Sequence, residues 1–149
     1  MAKNVTDLFK NLFILDIANN HQGDLNHGLN IIKSYSKISN DQKIKAAIKF
    51  QFRQLDTFIH PNYKKFTENK HIKRFIDTKL SIDEYKILFN EIKKNKLLTC
   101  CTPFDEESVE IIQDMNFDIV KIASFSAKDW PLIEKVSNLG KPIDFSTGG

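Results

Sequence analysis

The chain has 149 residues, 41% of them apolar and 28% charged, which is the size and balance of one ordinary globular domain. Its net charge of +3 comes from lysines scattered among acids, with Arg53 and Arg74 the two arginines, unlike the clustered basic surface of a nucleic-acid binder. No apolar run approaches the roughly 20 residues of a membrane span, and the first residues lack the apolar core of a signal peptide. The expectation is a cytoplasmic protein with no membrane or nucleic-acid partner.

In chain order, residues 1–11 read as an irregular lead. The first strand is expected over Leu12–Ala18, with alternation placing Ile14, Asp16 and Ala18 on a cavity side and Phe13, Leu15 and Ile17 outward against helices. Asp24 caps a helix carrying Leu25, Leu29 and Ile32. A second strand, Ile44–Phe50, is followed by a long irregular segment, residues 52–80, a candidate lid because connections of that length in compact domains are usually functional. Within it, Asn62–Phe75 is basic and reads as a solvated loop that helps attract an anionic small molecule. Ser81 to Glu84 form a capping box ahead of Tyr85, Leu88, Phe89 and Ile92. A third strand over Leu97–Cys101 contains adjacent cysteines that point to opposite faces, so they read as reduced core residues and not as a disulfide. Asp105 caps the helix of Val109, Ile112 and Met115. A fourth strand, Ile119–Ile122, a helix from Pro131 to the stop at Gly140, and a fifth strand, Ile143–Phe145, complete the pattern. Near-continuous apolar strands alternating with amphipathic helices predict an α/β fold with a parallel sheet.

Each strand carries polar residues toward its C-terminal end: Asp16 in the first, Lys49 and Gln51 in the second, Thr102 after the third, Lys121 and Ser124 in and after the fourth, and Asp144 and Ser146 in and after the fifth. In a barrel those ends converge on one cavity, and two lysines with several hydroxyls make an anion site for phosphate or carboxylate. The closing "STGG" adds glycines whose backbone N–H groups could approach phosphate oxygens. Asp144 is out of place in such a set and requires a cationic partner, Lys49 or Lys121, or a raised pKa.

The strings "DIANNHQGD", "IKFQ", "CTPFDEESVE", "DIVKIAS" and "GKPIDFSTGG" resemble, in order and spacing, the sialic acid synthase family, the N-acetylneuraminate synthases. The resemblance runs from about Phe13 to Gly149 and implies a (β/α)8 TIM barrel of which this chain holds the first five strands, an incomplete barrel over residues 12–149. It implies condensation of phosphoenolpyruvate with an N-acyl hexosamine and release of phosphate. By resemblance, Asp16, Lys49 and Lys121 are the catalytic candidates, while Gln51, Thr102, Ser124, Ser146, His21 and Asn20 bind substrate. A divalent metal, manganese or magnesium, is implied for the full-length family with ligands beyond residue 149, and none in this chain. The full-length protein is expected to be a homodimer. Family members usually have Glu where Asp16 stands, and Gly then an acid where this chain has Phe125 and Ser126, so a divergent branch with another sugar acceptor is implied. The expectation is an N-terminal fragment inactive on its own. The alternatives are a non-catalytic phosphate-binding half barrel or a synthase of other 2-keto-3-deoxy sugar acids.

Overall fold

The computed structural model describes residues 5–63 and 69–147. Five strands, β1 (Leu12–Asp16), β2 (Lys45–Phe52), β3 (Leu98–Pro103), β4 (Ile119–Ile122) and β5 (Ile143–Phe145), are hydrogen-bonded in sequence order. Every pairing is parallel. Helices alternate with them: α1 (Val5–Phe9), α2 (Leu25–Asp41), α3 (Leu55–Phe58), α4 (Lys70–Asp77), α5 (Ile82–Lys94), α6 (Glu106–Asp114) and α7 (Trp130–Ser137). Consecutive parallel strands joined by helices on one side curl the sheet into half of a (β/α)8 barrel, with a convex helix-covered face and a concave face.

The convex face holds the main core. Ile48, Phe50, Phe52, Cys101, Val120 and Ile122 project from the strands against Ile32, Leu88, Ile92, Val109, Ile112, Leu132 and Val136 of the helices. Phe117 sits at its centre, with its ring 5.0 to 6.2 Å from those of Phe89, Phe52 and Phe50. The expected caps form: Asp24 accepts from the His27 N–H and Asp105 from the Ser108 N–H. The Ser81–Glu84 box is reciprocal. Replacing the Ser81 hydroxyl removes a partner from a first-turn N–H, so Ser81→Ala is expected to cost about 1 kcal/mol. Its thermal midpoint should fall by about 2–4 °C in a calorimetric scan.

Four expectations are corrected. The lead over residues 1–11 is not irregular throughout, because α1 folds and its Leu8 and Phe9 pack with Leu12 and Leu98 against Ala47, Cys100 and Ile119. These two side chains floor the concave face at the N-terminal ends of the strands. Strand β1 stops at Asp16, short of Ala18, because Ala18 takes a left-handed φ of 46° and the Asn20 N–H turns back to the Ile17 carbonyl at 2.8 Å. Leu15 and Ile17 pack on the helices, whereas Phe13 is 54% exposed on an edge strand with one hydrogen-bonded neighbour. Finally, residues 52–80 are not a structureless loop: α3, a 3-10 turn over Pro61–Tyr63 and α4 occupy much of it.

The cysteines are free and buried on opposite faces, Cys101 in the convex core and Cys100 in the concave cluster, as alternation predicts. Burial pushes the Cys100 thiol up to about 12, so it is a neutral packing group at ordinary pH.

Candidate active site

The strand register sets the concave face. Asp16 stands opposite Lys49, and Lys49 opposite Cys100. One row nearer the C-terminal ends, Gln51 stands opposite Thr102 and Lys121 opposite Asp144. Lys49, Gln51 and Lys121 therefore point to one face because they lie at alternate positions of parallel strands in register.

Both lysines are sequestered and both are paired. The Lys49 side chain is 14% exposed with its ammonium 2.8 Å from Asp16 Oδ2. Lys121 is 16% exposed and lies 3.0 Å from Asp144 Oδ2. It also donates to Ser146 Oγ at 2.5 Å. Asp144 thus finds the cationic partner its position demands, and that partner is Lys121. Between Gln51 and Lys121, Thr102 is 2% exposed and its hydroxyl has no hydrogen-bond partner among the described residues. A buried hydroxyl left unsatisfied costs about 1–3 kcal/mol, and the Ser39 and Ser108 hydroxyls share that state.

The other candidates separate. Ser124 is exposed, in the 3-10 turn Ser124–Ser126 that follows β4, and so lies at the same end of the strands. Gly148 and Gly149 of "STGG" lie outside the described residues. Asn20 is exposed in the turn after β1 and borders a cleft with Gln51 and Arg74.

His21 does not join them on the concave face: it is fully buried. Its Nδ1 accepts from the Gly23 N–H at 3.1 Å. The neutral ring then carries its proton on Nε2, 3.3 Å from the Tyr85 hydroxyl, and donates it there. The ring ties the turn after β1 to α5. Gly28, on α2, leaves room for that junction, since a Cβ there would lie 3.0 Å from a Leu88 methyl and 3.4 Å from the His21 Cβ. Burial lowers the His21 pKa below 6.5. Below about pH 6.5 the unfolded chain takes up a proton that the folded ring refuses, so stability falls as pH drops toward the folded value. Urea midpoints measured at pH 7.5 and 5.5 should show this loss, and His21→Gln should flatten it.

Two features escaped the sequence reading. Arg53 lies 3.8 Å over the Phe104 ring and 4.5 Å over Phe75, and its Nη2 donates to Gln51 Oε1 at 2.9 Å, fixing the Gln51 amide. Phe104 in turn stacks on Phe125, 5.2 Å away with the ring planes nearly parallel. The only hint in the sequence was Arg53 standing two residues from Gln51. The second is a cavity of about 730 Å³ at the opposite, N-terminal ends of the strands, bordered by Asp7, Lys45, Lys96 and Leu98. The sequence-predicted polar residues lie at the other end of the sheet.

No group of three His, Cys, Asp or Glu among the described residues is placed to hold a metal ion. With His21 enclosed and both concave carboxylates on lysines, these residues alone do not fit a divalent cation.

A parallel half barrel whose paired lysines and hydroxyls gather at the C-terminal strand ends has the architecture of the (β/α)8 class, in which ligand sites form at that end. More particularly, the chain belongs to the NeuB family, whose model matches residues 39–149, and it is a sialic acid synthase-like member. It is 31% identical over 147 residues to the N,N'-diacetyllegionaminic acid synthase of Campylobacter jejuni, covering 93% of this chain and 42% of that protein. A crystal structure from Chromobacterium violaceum, assigned to spore coat polysaccharide biosynthesis, superposes with a TM-score of 0.88 at 41% identity, over 93% of this chain and 41% of the other. The N-acetylneuraminic acid synthetase of Leptospira borgpetersenii, solved with citrate, gives 0.73 at 27% identity, over 93% and 44%. The chain therefore spans about two-fifths of the length of the relatives it matches. No described helix is long and apolar enough to cross a membrane.

Proposed function

We propose that this half barrel supplies the phosphoenolpyruvate site of a sugar acid synthase, a transferase that joins phosphoenolpyruvate to an N-acyl amino sugar and releases phosphate. The observation that carries the reading is the row Gln51–Thr102–Lys121, with Ser146 held by the Lys121 ammonium just beyond it. It combines a largely sequestered ammonium, an oriented amide and an unsatisfied hydroxyl within one register of the sheet. The likeness to named sugar acid synthases supports it.

In this reading Lys49 and Lys121 neutralise the carboxylate and phosphate, and Thr102, Ser124 and Ser146 donate to their oxygens. The enol C3 attacks the aldehyde carbon of the sugar, forming the C–C bond and leaving positive charge at C2. Water adds at C2, and the C2–O bond to phosphate then breaks, leaving the 2-keto acid and inorganic phosphate. Asp16, held at 2.8 Å by Lys49, places negative charge where C2 becomes cationic. The lysines stabilise phosphate as it leaves, because their charge is fixed before the bond breaks.

Calorimetric titration of the chain with phosphoenolpyruvate tests the reading. Saturable binding that inorganic phosphate competes for, and that weakens as salt rises, is expected. An absence of binding at millimolar ligand and low salt would count against it.

A further inference from the structure

The lysines of the concave face are each matched by a carboxylate, but the arginines are not. Arg53 and Arg74, the two in the chain, border neighbouring clefts of about 310 and 430 Å³ between the turn after β1 and the segment joining β2 to α5. The clefts share Asn19, Gln51 and Thr78, and Lys79 adds a third cation. Among the described residues no Asp or Glu lines either one.

Among the described residues neither arginine forms an ion pair. Asp105, which Arg53 feels, is occupied by the N–H groups of Gln54 at 2.8 Å and Ser108 at 2.7 Å. Asp77, three residues from Arg74, pairs with Lys73. Arg53 is half-buried, and burial lowers its pKa to about 10. A cation taken out of water without a carboxylate is costly unless something else compensates it. The Phe104 and Phe75 rings and the Gln51 carbonyl hold the guanidinium in one pose and use one of its five N–H donors. The remaining donors have no hydrogen-bond partner among the described residues.

Resting on the reading above, we propose that these clefts form an anion subsite that takes the phosphate monoester of a phosphorylated amino sugar, with Arg53 and Arg74 donating to its oxygens. Gln51 supplies the connection: it belongs to the concave row beside Thr102 and to both clefts. A sugar whose aldehyde carbon lies over the concave face beside phosphoenolpyruvate can thus extend its far end past Gln51 to the arginines. The amides of Asn19, Asn20 and Gln22 line the way and suit sugar hydroxyls. The subsite decides which acceptor is favoured, because an uncharged sugar leaves the arginine donors without an anion.

The test titrates the chain with N-acetylmannosamine 6-phosphate, N-acetylmannosamine and inorganic phosphate. The phosphorylated sugar is expected to bind at least tenfold more tightly than either of the others. The preference should shrink to within twofold in Arg53→Gln/Arg74→Gln. Circular dichroism checks folding of the variants, and Arg74→Gln alone, on an exposed position, should already lower the preference several-fold. Lys121→Ala should keep the preference while losing phosphoenolpyruvate. Equal binding of the two sugars, a preference that survives in the double variant, or inorganic phosphate binding as tightly as the sugar phosphate would overturn the proposal. Loss of the preference in Lys121→Ala would overturn it too, by placing the sugar phosphate on the lysine. If phosphoenolpyruvate fails to bind wild type while the arginine-dependent preference is present, the synthase reading falls and the anion subsite stands.

Discussion

Lys121→Ala is expected to weaken phosphoenolpyruvate binding by about 100-fold or more, the effect of losing a charge-assisted contact of roughly 3 kcal/mol in a secluded site. Lys121 is the partner of Asp144 at 3.0 Å and of Ser146 at 2.5 Å. Removing it deletes a cation facing the ligand and also leaves the Asp144 carboxylate uncompensated where an anion must approach. The same loss should destabilise the fold, because breaking one side of a secluded pair costs more than the pair contributed. Lys121→Met/Asp144→Asn separates the two effects: stability should recover toward wild type while binding stays lost. Asp144→Asn alone should strengthen binding, since it frees the Lys121 ammonium for the ligand. Calorimetry and urea denaturation of the four proteins check this, and weaker binding in Asp144→Asn would show that the carboxylate assists the ligand instead of competing with it.

Gly23→Ala should be the most damaging small substitution, at about 2–4 kcal/mol when left-handed strain and a backbone collision are combined. Gly23 has φ +73°, and a Cβ built there would sit 2.8 Å from the Asp77 carbonyl oxygen, a backbone atom of α4 that cannot swing away. Its N–H is also the donor to His21 Nδ1. One methyl group therefore strains the turn, pushes on α4 and loosens the histidine that joins the turn to α5. The urea midpoint should fall accordingly, with amide exchange accelerating first around residues 19–24 and 70–78. A midpoint shift below a few tenths of a kcal/mol in equivalent stability would mean that α4 yields easily.

The parts of this architecture set by local periodicity were legible in the sequence. The apolar strands and the Asp24, Ser81 and Asp105 caps are decided within a few residues, and the structure reproduces them with shifts of at most two residues at strand ends. Alternation also put Lys49 with Gln51 and separated Cys100 from Cys101, because period two is a property of the strand alone. What was illegible depends on contacts distant in sequence. His21 looked like a turn residue available to substrate, but Tyr85, 64 residues away, encloses it. Phe13 alternates correctly yet stays more than half exposed, and the concave face accepts Leu8 and Phe9 from a segment too short to show periodicity. Arg53 became informative only when Phe75 and Phe104 were seen to hold it.

The central claim, that the C-terminal strand ends of the concave face bind phosphoenolpyruvate, is tested most directly by mapping amide shifts in 15N-labelled chain as the ligand is added. The account predicts saturable shifts at Gln51, Thr102, Lys121, Ser124 and Ser146. Shifts confined to Lys45, Lys96 and Leu98 at the cavity on the other end of the sheet would contradict it.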